Sequence, residues 1–98
     1  MNTYLILFSF TQKGIESVTS LASRIDGAKQ TITRYGGKLE SFHGILGSHY
    51  DTMTIVKAAD DEKIATIAMA ISRLGNVRSE THRLFSEDEL VNLTRSIG

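Results

Sequence analysis

Hydrophobic residues recur along the chain with two different spacings, which predicts alternating strands and helices. The apolar run at residues 3–10 indicates a strand. After a polar turn at residues 11–13, the spacing becomes three or four and predicts one long helix, whose buried side carries Ile15, Val18, Ala22, Ile25, Ala28, Ile32 and Tyr35. The glycines at 36–37 should end this helix. Gly27 is unfavourable inside a helix, so we expect a kink or break near Asp26.

A hairpin and a second helix are predicted next. Residues 38–46 and 51–58 indicate two strands joined by a short turn at 47–50. Asp60 or Asp61 can begin the helix, because an aspartate accepts hydrogen bonds from the free amides of a first turn. The spacing of apolar residues predicts a buried stripe of Ile64, Ile67, Ala68, Ile71 and Leu74.

A fourth strand and a short helix complete the pattern. Gly75 and Asn76 should end the second helix, and residues 77–85 indicate the strand. Ser86 and Glu89 have the spacing of a capping box, which marks a helix start. We expect the helix that follows to turn three apolar residues inward, namely Leu90, Leu93 and Ile97.

The order β-α-β-β-α-β-α predicts an α+β protein, ferredoxin-like, as a single domain over residues 1–98. Right-handed crossovers would place two helices on one face of a four-stranded antiparallel sheet. The first strand is nevertheless apolar on both sides, with Tyr4, Ile6, Phe8 and Phe10 on one and Leu5 and Leu7 on the other. A strand with one solvent-exposed face should alternate between apolar and polar residues. We therefore expect the C-terminal helix, a second copy of the chain or both to cover the second face, and we predict a sheet-to-sheet homodimer or a dimer of such dimers.

Composition narrows the classes of protein. Eleven Lys and Arg balance eleven Asp and Glu, and a neutral chain lacks the basic surface typical of nucleic-acid binders. The absence of cysteine excludes disulfides, thiolate metal sites and a cysteine nucleophile. No apolar run approaches the ~20 residues that cross a bilayer, and no export signal is recognisable. We expect a cytoplasmic protein with neither membrane nor nucleic acid as a partner.

Several short motifs resemble the GYD-domain family. They are Gly36-Gly37-Lys38-Leu39, Tyr50-Asp51, Ala59-Asp60-Asp61, and Gly75-Asn76-Val77-Arg78-Ser79-Glu80-Thr81 with Phe85-Ser86. The similarity spans nearly the whole chain, although the turn before Tyr50 is one residue longer than is usual in the family. The resemblance implies a dimeric α/β-barrel fold, in which two ferredoxin-like sheets pack face to face. It implies no particular activity, because one fold hosts many chemistries.

Three histidines and an aspartate are the residues that could form a metal site. His43, His49 and His82, together with Asp51, supply imidazole and carboxylate ligands. His43 lies on the second strand, His49 in the turn after it, Asp51 directly after that turn, and His82 on the fourth strand. Their spacing matches no metal motif. We interpret the histidines as surface residues and expect no metal and no cofactor.

Other polar residues are candidates for binding a small ligand. Tyr50 and Asp51 could orient a polar substrate or exchange protons with it. The alternative for Asp51 is structural, because an aspartate after a tight turn commonly accepts backbone amides. Arg78 and Thr81 could bind an anion, although Arg78 could equally form a cross-strand or intersubunit ion pair with Glu80. Arg24 lies in the middle of the first predicted helix, where the resemblance implies an arginine. It could reach toward the turn, or it could be solvated or ion-paired.

Two functions remain open at this point. A small-molecule-binding or regulatory domain needs only a cavity, either between sheet and helices or between paired sheets. A cofactor-independent enzyme of the monooxygenase or isomerase type also needs a titrating group, for which Tyr50, Asp51 or a histidine is available. We favour the binding domain, with the candidate ligand residues Arg24, His43, His49, Tyr50, Asp51, Arg78, Thr81 and His82.

Overall fold

The computed structural model describes residues 1–98 as four strands and four helices. Their bounds are β1 Asn2–Phe10, α1 Gln12–Glu16, α2 Leu21–Arg34, β2 Lys38–Gly44, β3 Thr52–Ala58, α3 Asp61–Ser72, β4 Val77–Leu84 and α4 Glu87–Arg95. A 3-10 turn, Val18–Ser20, separates α1 from α2. None of the helices combines the length and the apolarity that a bilayer crossing demands.

The strands form one antiparallel sheet in the order β2-β3-β1-β4. Helices α2 and α3 pack on one face of it, where they share a core with β1 and β3. This is the ferredoxin-like arrangement, so the predicted α+β fold class is confirmed. Strand β1 is central, with β3 and β4 on its two edges, but the helices cover only one of its two apolar faces.

The hydrophobic core lies between the sheet and helices α2 and α3. Tyr4, Ile6 and Phe8 alternate along β1 and point into it, as the pleat of a strand requires. They pack with Ile32 of α2 and Ile67 of α3, which expose 2% and 0% of their surface. Only 12 of the 98 residues are buried, so one chain alone has a small core.

The predicted single helix over residues 15–35 is wrong in the position of its break. The chain interrupts the helix at Ser17 and Ser20, whose hydroxyls bond to the carbonyls of Lys13 (2.9 Å) and Ser17 (2.7 Å). Such local bonds compete with helical ones and favour a turn. Helix α2 continues through Gly27, so the break expected near Asp26 does not form.

The start of α3 separates the roles of two aspartates. Asp60 is the cap, because its carboxylate accepts from the amide of Lys63 at 2.9 Å. Asp61 instead accepts the buried hydroxyl of Tyr4 at 2.6 Å and so ties α3 to β1. The end of α3 comes earlier than predicted: Leu74 lies beyond it and is 58% exposed, so it is not part of the buried stripe.

The C-terminal helix does not fold back over the sheet. The predicted capping box is present, since the Ser86 hydroxyl accepts from the Glu89 amide and the Glu89 carboxylate accepts from the Ser86 amide. The helix leads away from the core, however, and no residue of α4 is buried. The three residues expected to face inward are 56%, 48% and 85% exposed, namely Leu90, Leu93 and Ile97. The prediction that these residues pack inward is therefore wrong, because no other part of the chain packs against this side of α4.

The second face of the sheet carries no helix, and we call it the open face. Its side chains follow from the strand register and include Thr3, Leu5, Leu7, Ser41, His43, Met53, Ile55, Lys57, Arg78, Glu80, His82 and Leu84. Leu5 lies opposite Ile55 and Leu7 opposite Met53, and all four are half-buried. An apolar strip therefore runs along the two central strands, with polar residues of β2 and β4 beside it.

Candidate functional site

A cavity of about 410 Å³ opens between α2 and the helix-bearing face of the sheet. Fifteen residues line it, and nine of them are hydrophobic, including Phe8, Phe10 and Phe42. The volume lies within the range of small-molecule sites, about 300–1,000 Å³. Arg24 of α2 is the single charged residue of the lining. We call this space the Arg24 cavity.

The guanidinium of Arg24 is buried without a partner. Its three nitrogens are shut off from solvent, and none of them makes a hydrogen bond. None of the salt bridges of the chain involves Arg24. The ring of Phe10 lies 5.6 Å from the guanidinium carbon, which is a cation–π contact. Buried charges in folded proteins are normally paired, and this guanidinium lacks such a partner.

Gly14 makes room for Arg24 at the edge of the cavity. A Cβ atom at position 14 would lie 2.0 Å from the carbonyl oxygen of Asn76 and 3.3 Å from Nη1 of Arg24. The same Asn76 oxygen accepts the amide of Thr11 at 3.0 Å, which holds α1 against the start of β4. A glycine is therefore required for this close approach.

A second group of polar side chains lies on the open face. The Tyr50 hydroxyl donates to Oε1 of Glu80 at 2.6 Å, and Nε2 of His82 lies 2.6 Å from Oε2. An ionised carboxylate can only accept hydrogen bonds, so Nε2 of His82 carries the proton of this bond. We call these three residues the Tyr50 cluster.

The hydrogen bonds of the Tyr50 cluster shift two pKa values. The bond from Tyr50, and after it the bond from His82, lowers the pKa of Glu80 below its ordinary value of 4.5. The bond to Glu80 raises the pKa of the Tyr50 hydroxyl above 10.0, because ionising it would place two negative charges side by side. At neutral pH the cluster therefore holds an ionised carboxylate and a neutral phenol.

We expect the effect of Tyr50→Phe on stability to depend on pH. Because the pKa of Glu80 is lowered in the folded state, its hydrogen bonds stabilise the fold above pH 4.5, and this contribution is lost as the pH falls through the lowered value. The difference in melting temperature between wild type and variant should be largest near neutral pH and shrink below about pH 4. Circular dichroism measures it. In a Glu80→Gln background the pH dependence should vanish, and its persistence there would contradict the assignment to Glu80.

Asp51 has backbone groups as its partners. Its Oδ2 accepts the amide of Phe10 at 2.8 Å, and its own amide donates to the carbonyl of Phe8 at 2.8 Å. Its carbonyl accepts the amide of Ile45 at 2.8 Å. These bonds join the end of β1 to the turn that leads into β3. The geometry supports the structural alternative for Asp51 over proton transfer.

Asp51→Ala should lower the free energy of unfolding by about 1–3 kcal/mol, because the Phe10 amide loses its acceptor. Asp51→Asn should cost less, since one amide oxygen can still accept that bond. Urea denaturation of both variants measures the difference. Unchanged stability combined with lost ligand binding would instead make Asp51 a ligand residue.

Two of the remaining candidates lie on opposite faces of β4. Thr81 is opposite Ile6 and so belongs to the helix-bearing face, away from the Tyr50 cluster. Arg78 lies on the open face and forms no hydrogen bond or salt bridge through its side chain. Arg78 forms no ion pair with Glu80 within the chain. The Glu80 carboxylate binds Tyr50 and His82 instead.

The histidines do not come together. His43 lies on β2 and His82 on β4, three strand spacings apart in the sheet, or roughly 14 Å. His49 is exposed in the turn, where its carbonyl accepts the Ser9 hydroxyl at 2.9 Å. No three metal-ligating side chains lie close enough to hold a metal ion.

The sequence pattern singles out Tyr50 and His82 as candidate ligand residues but misses Glu80, which joins them. A signal was available, because residues two apart on a strand share a face, and an acid two positions before a histidine predicts such a pair. The isolation of Arg24 carries no such signal. It depends on which residues of distant elements surround the guanidinium, and that is a property of the packed fold.

Comparison with known proteins agrees with this fold. A relative from Thermus thermophilus, the glutamine synthetase and cystathionine beta-lyase binding protein, is 27% identical over 82 residues, which cover 83% of this chain and 85% of the relative. An ACT domain protein from Streptococcus pneumoniae superposes with a TM-score of 0.50 at 15% identity, over 85% of this chain and 89% of that one. That likeness shows a shared fold alone.

Two further matches are a designed protein and the sequence model of a family. The de novo designed protein Ferredog-Diesel has a TM-score of 0.49 and 13% identity, over 87% of this chain and 85% of its own. The sequence model of the GYD domain matches residues 4–93, nearly the whole chain. The chain therefore belongs to the GYD-domain family.

Proposed function

We propose that this protein is a regulatory domain that binds a small ligand in the Arg24 cavity and works as a homodimer in the cytoplasm. The observation that carries the proposal is the guanidinium of Arg24, which is buried at the wall of an apolar cavity with no anionic partner in the chain. A buried charge without a partner is rare in a stable fold, because removing the charge from water costs free energy. A bound anion would supply the missing partner.

A regulatory role is supported by the relative from Thermus thermophilus. That protein is named for binding two enzymes, glutamine synthetase and cystathionine beta-lyase. By analogy, we infer that this chain also acts through contact with another protein. Ligand binding in the Arg24 cavity would then adjust that contact.

The open face supports the homodimer. Its apolar strip of Leu5, Leu7, Met53 and Ile55 is left uncovered by the helices, and α4 does not reach it. Two copies of one flat apolar surface meet most simply around a two-fold axis. The second copy would also enlarge the small core of one chain.

Native mass spectrometry and sedimentation velocity test the proposal together. We expect a particle of two chains, or of four, that carries a small molecule released on denaturation. A mass of one chain at micromolar concentration would overturn the homodimer. If no small molecule is bound and none of a set of added metabolites raises the melting temperature, the ligand-binding role is wrong.

The Tyr50 cluster supports a second candidate, a cofactor-independent enzyme of the monooxygenase or isomerase type. Glu80 accepts a hydrogen bond from Nε2 of His82, and in a neutral imidazole the other nitrogen, Nδ1, is then an acceptor; a carboxylate orients a general base in this way. Turnover of small phenols or lactones, followed by mass spectrometry, tests this role. It should fall in Glu80→Gln and persist in Asp51→Asn.

A further inference from the structure

The lining of the Arg24 cavity determines which ligand it can accept. Its charged groups amount to one guanidinium, and it contains no acidic side chain and no second cation. Nine of its fifteen residues are hydrophobic, and three of these are phenylalanines that present ring surface to the cavity. The site therefore matches one negative charge on an otherwise apolar molecule.

We propose that the Arg24 cavity binds a monocarboxylate with an apolar body, either an arylalkanoate or a branched alkanoate, and that it discriminates against amino acids. This inference rests on the proposed function, since it assumes that the cavity is a ligand site. The planar fork of a guanidinium matches a carboxylate through two parallel hydrogen bonds. That pair would satisfy nitrogens of Arg24 that have no partner in the chain.

The same lining disfavours other anions. The ammonium group of an amino acid would enter a cavity without a carboxylate and would lose its hydration without gaining a salt bridge. A phosphate monoester carries close to two negative charges at neutral pH and would find one cation. An aromatic body, by contrast, can pack against the rings of Phe8, Phe10 and Phe42.

Ligand entry requires a change at Arg24 itself. Its nitrogens are now turned toward Gly14 and the Phe10 ring and are closed to solvent. Because Arg24 lines the cavity and its side chain is long, we expect rotation of the side chain to present these nitrogens to a ligand.

Isothermal titration calorimetry with four probes tests the ligand class. The probes are phenylpropanoate, its alcohol phenylpropanol, L-phenylalanine and the branched acid isocaproate. We expect the wild-type protein to bind phenylpropanoate at least about tenfold more tightly than the alcohol or the amino acid. Isocaproate should behave as phenylpropanoate does.

Arg24→Met keeps the apolar stem and removes the charge. It should weaken phenylpropanoate binding about tenfold or more, leave phenylpropanol binding unchanged, and fold at least as stably as wild type, because a buried unpaired charge is gone. Arg24→Lys should bind phenylpropanoate more tightly than Arg24→Met but less tightly than wild type. Lysine keeps the positive charge but lacks the two parallel donors of the guanidinium. Arg34→Met, which removes an exposed arginine from the last turn of the same helix, should change nothing.

The outcomes separate the ligand class from the proposed function. If carboxylate and alcohol bind equally to wild type, or if Arg24→Met binds the carboxylate as wild type does, the cavity remains a ligand site but its preference for carboxylates is wrong. The same holds if phenylalanine binds as tightly as phenylpropanoate. If none of the probes binds wild type, the assignment to monocarboxylates is wrong, and the ligand-binding function itself is overturned only if native mass spectrometry also finds no bound small molecule and no added metabolite raises the melting temperature.

Discussion

Gly14→Ala is expected to destabilise the protein by about 3 kcal/mol or more, which is at the upper end of overpacking effects. The new methyl group would meet the carbonyl oxygen of Asn76 at 2.0 Å. That oxygen belongs to the backbone and already accepts the amide of Thr11, so it cannot retreat without breaking the contact between α1 and β4. Chemical denaturation measures the loss.

Gly27→Ala is the matched control for this substitution. It places the same methyl group at an exposed position of α2 that borders the Arg24 cavity, where no atom of a neighbouring element lies within 4 Å. An alanine in a helix interior is favoured over glycine, so we expect a gain of about 0.5–1 kcal/mol. Equal losses in the two variants would show that the clash with Asn76 is not what makes position 14 sensitive.

Leu7→Arg on the open face should convert the proposed homodimer into folded monomers. Leu7 lies in the middle of the apolar strip, opposite Met53. In a two-fold interface the variant would bring two arginines together and desolvate both, so we expect dimer dissociation to become at least about a hundredfold more favourable. Sedimentation velocity measures the assembly, and circular dichroism shows whether the monomer keeps its secondary structure.

Leu46→Arg provides the control, because Leu46 is fully exposed in the turn after β2. It adds the same charge to the same chain and should leave the dimer intact. If Leu7→Arg dimerises as wild type does, the open face is not the interface. If both variants dissociate, added charge acts without regard to its position, and the open face has no special role.

Local sequence patterns predict most of the elements because each depends on near neighbours. The alternation along β1 predicts that Tyr4, Ile6 and Phe8 share one face, although not that this face packs on the helices, and the spacing of Ser86 and Glu89 predicts the start of α4. Helix periodicity alone could not locate the break at Ser17 and Ser20. The hydroxyls there bond to carbonyls of the preceding turn, and this competes with a pattern that otherwise continues.

Contacts between distant elements are where sequence reasoning fails. The inward direction of Leu90 and Leu93 is inferred from amphipathic spacing, but spacing does not show whether the fold provides a surface for that side to meet. The contact of Tyr50 with Glu80 joins residues 30 apart in the chain, and the isolation of Arg24 depends on three elements at once. Such properties arise only when the sheet and helices are assembled.

The central position of β1 also shapes how the chain is synthesised. Of the four strands, β1 leaves the ribosome first, yet its two neighbours are complete only at Ala58 and at Leu84. At a translation rate of about 5–20 residues per second, β1 waits roughly 4–15 s for β4. During that time the uncharged segment Tyr4–Phe8 has the character of strands that pair with copies of themselves. A strand that is apolar on both faces is thus also the one that waits longest for its native partners.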